Sequence, residues 1–96
     1  MEPLLLLEFD LSNNELGDEG GAHLFEYFDE YVLPVRRLEL RNCGLEVNAA
    51  RSLRELLRHE HYLEHVDLRE NKAMEEMFDI LERGRRKNPK ASVRYF

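Results

Sequence analysis

Three segments of the chain superimpose over nearly its whole length, and this internal repetition limits the possible folds more than any other property of the sequence. Leu6, Phe9, Leu11, Asn14 and Leu16 set the first frame. Val35, Leu38, Leu40, Cys43 and Leu45 restate it 29 positions on, and Leu63, Val66, Leu68, Asn71 and Ala73 restate it 28 positions after that. Around Phe9/Leu11, Leu38/Leu40 and Val66/Leu68, apolar and polar residues alternate, as in a strand with one buried face. The period then lengthens to three or four residues, through Gly20, Leu24 and Phe28, then Ala49, Leu53 and Leu57, then Met77 and Leu81. That is the spacing of a helix laying one stripe on the strands. A strand followed by a helix, repeated, builds a parallel sheet.

The punctuation agrees with the period. Gly17, with Asp18 and Glu19 after it, suits a turn and the start of a helix, where acidic residues meet the positive end of the helix dipole. Pro34 and Pro89 fall between helical stretches and the strands that follow, where a missing amide proton does little harm. The expectation is one α/β domain over residues 1–96. Its repeats run over about 6–34, 35–62 and 63–90, and residues 91–96 form a closing strand in which Ala91, Val93 and Tyr95 alternate with Ser92, Arg94 and Phe96.

Over about residues 6–85 the chain resembles the ribonuclease-inhibitor-like subfamily of leucine-rich repeats. The resemblance rests on the repeat length, on Asn14, Cys43 and Asn71 at the turn position, and on the small residue before the helical leucine, Gly20/Leu24 and Ala49/Leu53. It implies a short right-handed β-α superhelix, a leucine-rich repeat solenoid with a parallel sheet of about four strands backed by three helices. It also implies that Asn14, Cys43 and Asn71 turn inward as a structural ladder bonding the backbone of the loops. Ala73 stands where leucine is expected, and Arg85 where the third helix should bury an apolar residue. Members of the family bind proteins, and some regulate actin or a small GTPase; neither of those roles follows from residues of this chain.

Composition narrows the function classes. The chain is 43% hydrophobic and 35% charged, with four Tyr, five Phe and no Trp, which suits a folded chain. Only Leu4 to Leu7 resembles a membrane or secretory run, and Glu8 and Asp10 interrupt it. A single cysteine, Cys43, forms no intramolecular disulfide, and no Asn-x-Ser/Thr sequon occurs, so an intracellular, cytoplasmic setting is expected. Charge is uneven. Residues 1–34 hold nine acids and no Lys or Arg, residues 35–62 six Arg against four Glu, and residues 63–96 eight Lys or Arg against seven acids. The basic run Arg83, Arg85, Arg86, Lys87, Lys90 and Arg94 reads first as positive charge favourable at a helix C-terminus, ahead of nuclear import or nucleic-acid binding.

A binding site is expected on the concave sheet face, among the polar residues between the apolar strand positions. Aligning the frames gives three columns: Glu8, Arg37 and His65; Asp10, Glu39 and Asp67; Ser12, Arg41 and Arg69. The middle column is either an acidic stripe for a basic segment of a partner protein, or an ion-pair lattice in which Arg37, Arg41 and Arg69 offset the repulsion of stacked carboxylates. Leu4, Leu5 and Leu7 lead into an uncapped first strand, an edge through which copies of the chain could assemble. His59, His61 and His65 invite a metal reading, but they cross from helix to loop to strand without Cys partners or a recognised spacing, so no metal is assigned. No phosphate loop, H-E-x-x-H or G-x-S-x-G occurs, and the reading is a protein-interaction module without catalysis or cofactor.

Overall fold

The computed structural model describes residues 5–59, 62–84 and 91–96. Strand β1 (Leu7–Asp10) leads to helix α1 (Gly17–Glu30), β2 (Val35–Glu39) to α2 (Val47–His59), β3 (His65–Asp67) to α3 (Met74–Gly84), and β4 (Ser92–Arg94) follows. The strands form one parallel sheet in the order β1-β2-β3-β4. The chain is thus an α/β repeat fold, each helix bridging two neighbouring parallel strands.

Strand alternation puts Leu38, Leu40, Val66 and Leu68 under the helices, where they join Phe25, Ala49, Ala50, Leu53, Leu57, Met77 and Leu81 in one core. The middle repeat is covered on both sides, and its Leu38, Leu40, Leu45 and Leu53 are fully buried. Their counterparts Phe9, Leu11, Leu16 and Leu24 are only half buried. The helical stripe of the first repeat is also rotated from the expected one. Phe28 is buried as expected, but Gly20 is exposed and Leu24 only half buried, and α1 buries Gly21, Ala22 and Phe25 beside Phe28. The reason is one-sided packing: α1 meets α2 but no helix on its other flank among the described residues. At that contact a Cβ on Gly21 would run into Leu45 and lie 3.2 Å from Ala49 Cβ, so glycine lets the two helices approach.

The repeats are tied by bonds that cross from one to the next. Asp18, expected to serve its own helix, reaches the start of α2. Its Oδ1 accepts from the amides of Glu46 (3.1 Å) and Ala49 (2.8 Å), and its Oδ2 from that of Asn48 (3.3 Å). These are amides that a helix N-terminus leaves without partners of its own. The end of α1 is closed differently: the Val32 amide donates to the Asp29 carbonyl and the Leu33 amide to that of Phe28, the pair of bonds that defines a Schellman motif. Val32 therefore sits at φ 49°, a left-handed conformation that a β-branched residue adopts at a cost. Left-handed residues also recur in the turns after the strands, at Asn13, Asn42 and Glu70, the same position of each repeat. There the Asn42 side-chain amide donates to Asn13 Oδ1 at 3.2 Å.

Candidate partner-binding face

The sheet face opposite the helices carries the expected columns in register. Glu8 lies beside Arg37 and Arg37 beside His65; Asp10 lies beside Glu39 and Glu39 beside Asp67. Arg94 of β4 extends the middle column, next to Asp67. Asp10, Glu39, Asp67, Ser12, Arg41 and Arg69, with Asn13, line an open depression of about 430 Å³. Arg37 stands outside its lining.

The three carboxylates of the column are held in three different ways. Asp10 accepts from the Ser12 amide at 3.1 Å, and no basic side chain pairs with it among the described residues. Glu39 is bonded by Arg37 Nη1 at 3.1 Å, with His65 Nε2 3.5 Å away. Asp67 is 4% exposed and is gripped by Arg69, whose Nε donates to Oδ1 (3.0 Å), whose Nη2 donates to Oδ2 (2.8 Å), and whose amide donates to Oδ1 (3.1 Å). Burial works against ionisation of Asp67. The Arg69 hydrogen bonds and the charges of Arg69 and Arg94 outweigh it and hold the carboxyl below its ordinary range. Asp10 is therefore the open carboxylate of the column, Glu39 is partly exposed and paired with Arg37, and Asp67 is committed to the fold.

The other arginines are engaged unequally. Arg37 also approaches Glu8, Nε to Oε1 at 3.5 Å, and Arg36, which the columns did not include, spans Glu8 (3.6 Å) and Glu64 (3.0 Å). Arg41 turns from the column to Glu70 at 3.6 Å, while its amide donates to Ser12 Oγ at 3.1 Å. Exposed pairs of this kind contribute little to stability and leave their side chains available for exchange with a partner's charges.

The inward turn residues differ by repeat. Asn71 makes four bonds: Oδ1 accepts from the Cys43 and Leu45 amides, both at 3.0 Å, and Nδ2 donates to the Leu40 and Leu68 carbonyls at 2.9 and 2.8 Å. Cys43 is buried, with Sγ donating to the Leu11 carbonyl at 3.1 Å. Burial pushes its thiol up, which keeps it a neutral donor. Asn14 is exposed, and its Nδ2 donates to carbonyls of its own turn, those of Leu11 (2.9 Å) and Ser12 (3.3 Å). At the sheet edge Leu5 is exposed and Leu7 half buried; Leu4 lies outside the described residues.

The histidines diverge. His59 Nδ1 lies 3.1 Å from Asp29 on the helix layer, His65 faces Glu39 on the sheet, and His61 lies outside the described residues. Among the described residues no three His, Cys, Asp or Glu side chains are grouped to hold a metal ion, and no helix is long and apolar enough to cross a membrane. Of the basic run, Arg83 lies in the last turn of α3 beside Asp79 (3.2 Å) and Arg94 lies on β4; Arg85, Arg86, Lys87 and Lys90, with Pro89, fall outside the described residues.

A family model described as Leucine Rich repeat matches residues 4–25. Neither a curated protein nor a solved structure matches the chain. The match supports a leucine-rich repeat protein, of a kind that generally mediates protein–protein interaction and is generally not enzymatic.

Proposed function

We propose that the chain is an intracellular protein-interaction module, a short leucine-rich repeat solenoid of the ribonuclease-inhibitor-like kind, whose concave sheet face docks a basic segment of a partner protein. The observation that carries this reading is the in-register placement of Asp10 beside Glu39 in an open polar depression, with Asp10 lacking a basic partner among the described residues. Arg37, Arg41 and Arg69 border these carboxylates. They set the register in which a partner's charges fit and disfavour partners with the opposite pattern. The buried Asp67–Arg69 pair fixes one end of the surface so that the docking groups arrive in a defined geometry.

The test is retention of a Lys/Arg-rich peptide library on the immobilised chain. Asp10→Asn with Glu39→Gln weakens the selected peptides about tenfold. Glu19→Gln with Glu30→Gln, the same change of charge on α1, leaves them near wild type. Equal losses from both pairs would reduce the attraction to net charge alone and overturn the docking site.

A further inference from the structure

The first repeat carries on its outside a surface that the other repeats bury. Phe9, Leu11, Leu16 and Leu24 are half covered where Leu38, Leu40, Leu45 and Leu53, one repeat on, are sealed. A row of rings borders them: Phe9 stacks on Phe28 with centroids 5.2 Å apart, Phe28 meets Tyr27 at 6.5 Å, and Tyr27 meets Tyr31 at 4.6 Å. Tyr27 and Tyr31 are 53% and 59% exposed, and Leu5 is 79% exposed. Among the described residues β1 is paired on one side only, so its other edge presents unpaired amides and carbonyls. The surroundings have one sign, since residues 5–34 hold eight acids and no Lys or Arg.

We propose that this end of the array accepts a strand from a different protein, in which basic and apolar residues alternate, added along the free edge of β1. Its apolar side chains extend the layer of Phe9 and Leu11, and apolar residues flanking the strand cover Tyr27 and Tyr31. Its basic side chains fall beside Glu8 and Asp10, two residues apart on the polar face. The opposite edge of β1 already displays this chemistry, because β2 brings Arg36 and Arg37 to Glu8. Asp10 is left for the incoming strand. A second copy of the chain fits less well. Two β1 edges set together would oppose carboxylates, a destabilising arrangement. The β4 strand of another copy would offer only Arg94, which already neighbours Asp67, and would place Ser92 beside Glu8. The proposal does not rest on the open-face reading.

The experiment titrates the ¹⁵N-labelled whole chain with a Lys-Val alternating peptide carrying a Leu-Trp flank. Expected are amide shifts gathered on residues 5–11 and on α1. An affinity loss of about tenfold or more is expected for Tyr27→Ser with Tyr31→Ser, together with loss of binding when alternate peptide amides are N-methylated. Both tyrosines are exposed, so the variant keeps its fold, which circular dichroism checks. Shifts confined to Arg37, Arg41 and Arg69, or undiminished binding of the N-methylated peptide, would overturn the proposal. So would sedimentation of the chain alone as a dimer or larger species with residues 5–11 protected, which would give this edge to a second copy.

Discussion

Asn71 and Asn14 occupy the same position of the repeat and do different amounts of work. Asn71 serves two buried amides and two carbonyls, so Asn71→Ala strands several polar groups at once. The loss is about 3 kcal/mol or more, at roughly 1–3 kcal/mol for each group left unpaired. Asn14→Ala removes bonds made at the surface and costs about 0.5 kcal/mol. Urea unfolding of the two variants makes the comparison, and similar midpoints would contradict it. Asp67 carries a pH signature. Its carboxyl is held below its unfolded value, so its contribution is complete above the unfolded value and is lost as pH falls through the folded one. Asp67→Asn is therefore less stable than wild type near neutrality, by about 1–3 kcal/mol for a charge-assisted bond. The two converge as pH falls below about 4. Thermal unfolding between neutral and strongly acidic pH measures this, and curves that stay parallel would remove Asp67 from the acid response. These two residues also mark the limits of reading side chains from sequence. The inward turn of Asn71 is what the family resemblance implies, yet Asn14 at the same place in the frame is exposed. The burial of Asp67 is not legible either, because alternation assigns it to the same polar column as the exposed Asp10.

The strands and helices stand where the change of period puts them, since strand alternation and helical spacing are local properties of the chain. What the period does not reveal is which helix a polar residue serves. Asp18 sits in the first turn of α1, and a dipole argument assigns it there. Its partners are amides 28 to 31 residues away, a separation that only the packing of α1 on α2 brings within reach. Asp18→Ala removes that cap and lowers stability by about 1–2 kcal/mol. Glu19→Ala, one residue on and exposed, changes it by less than about 0.5 kcal/mol. Chemical denaturation distinguishes them, and equal effects would return Asp18 to the role of a dipole partner. The rotation of the α1 stripe from Gly20 to Gly21 was hidden for the same reason. Helical spacing identifies a face, and the neighbour decides how that face is turned. At the other end of α1, Val32→Gly retains the Schellman bonds and relieves the left-handed valine. A gain of about 1 kcal/mol is expected, and a fall in melting temperature would show that the Val32 side chain holds the corner.

At the scale of the molecule, stability is a sum of neighbour contacts and is smallest at the ends. Hydrogen exchange should find the slowest amides in β2 and α2, covered on both sides, and those of β1 and α1 about tenfold or more faster. Uniform protection would mean that the array opens as one cooperative unit. The candidate face was legible as columns because, past a register shift between Leu7 and Glu8, the parallel strands keep residues 8–10, 37–39 and 65–67 in step. The division of its acids into open and committed members was not, because it depends on which arginine folds back and which turns away. The ties between repeats also redefine the modular piece. The second repeat, counted by sequence, runs over residues 35–62, but the start of its helix is completed by Asp18 from before it and its loop by Asn71 from after it. A graft or deletion cut at the repeat boundaries would separate the repeat from both of these residues, while one spanning residues 18–71 would carry them with it. The transferable unit of this architecture is thus nearly two repeats long.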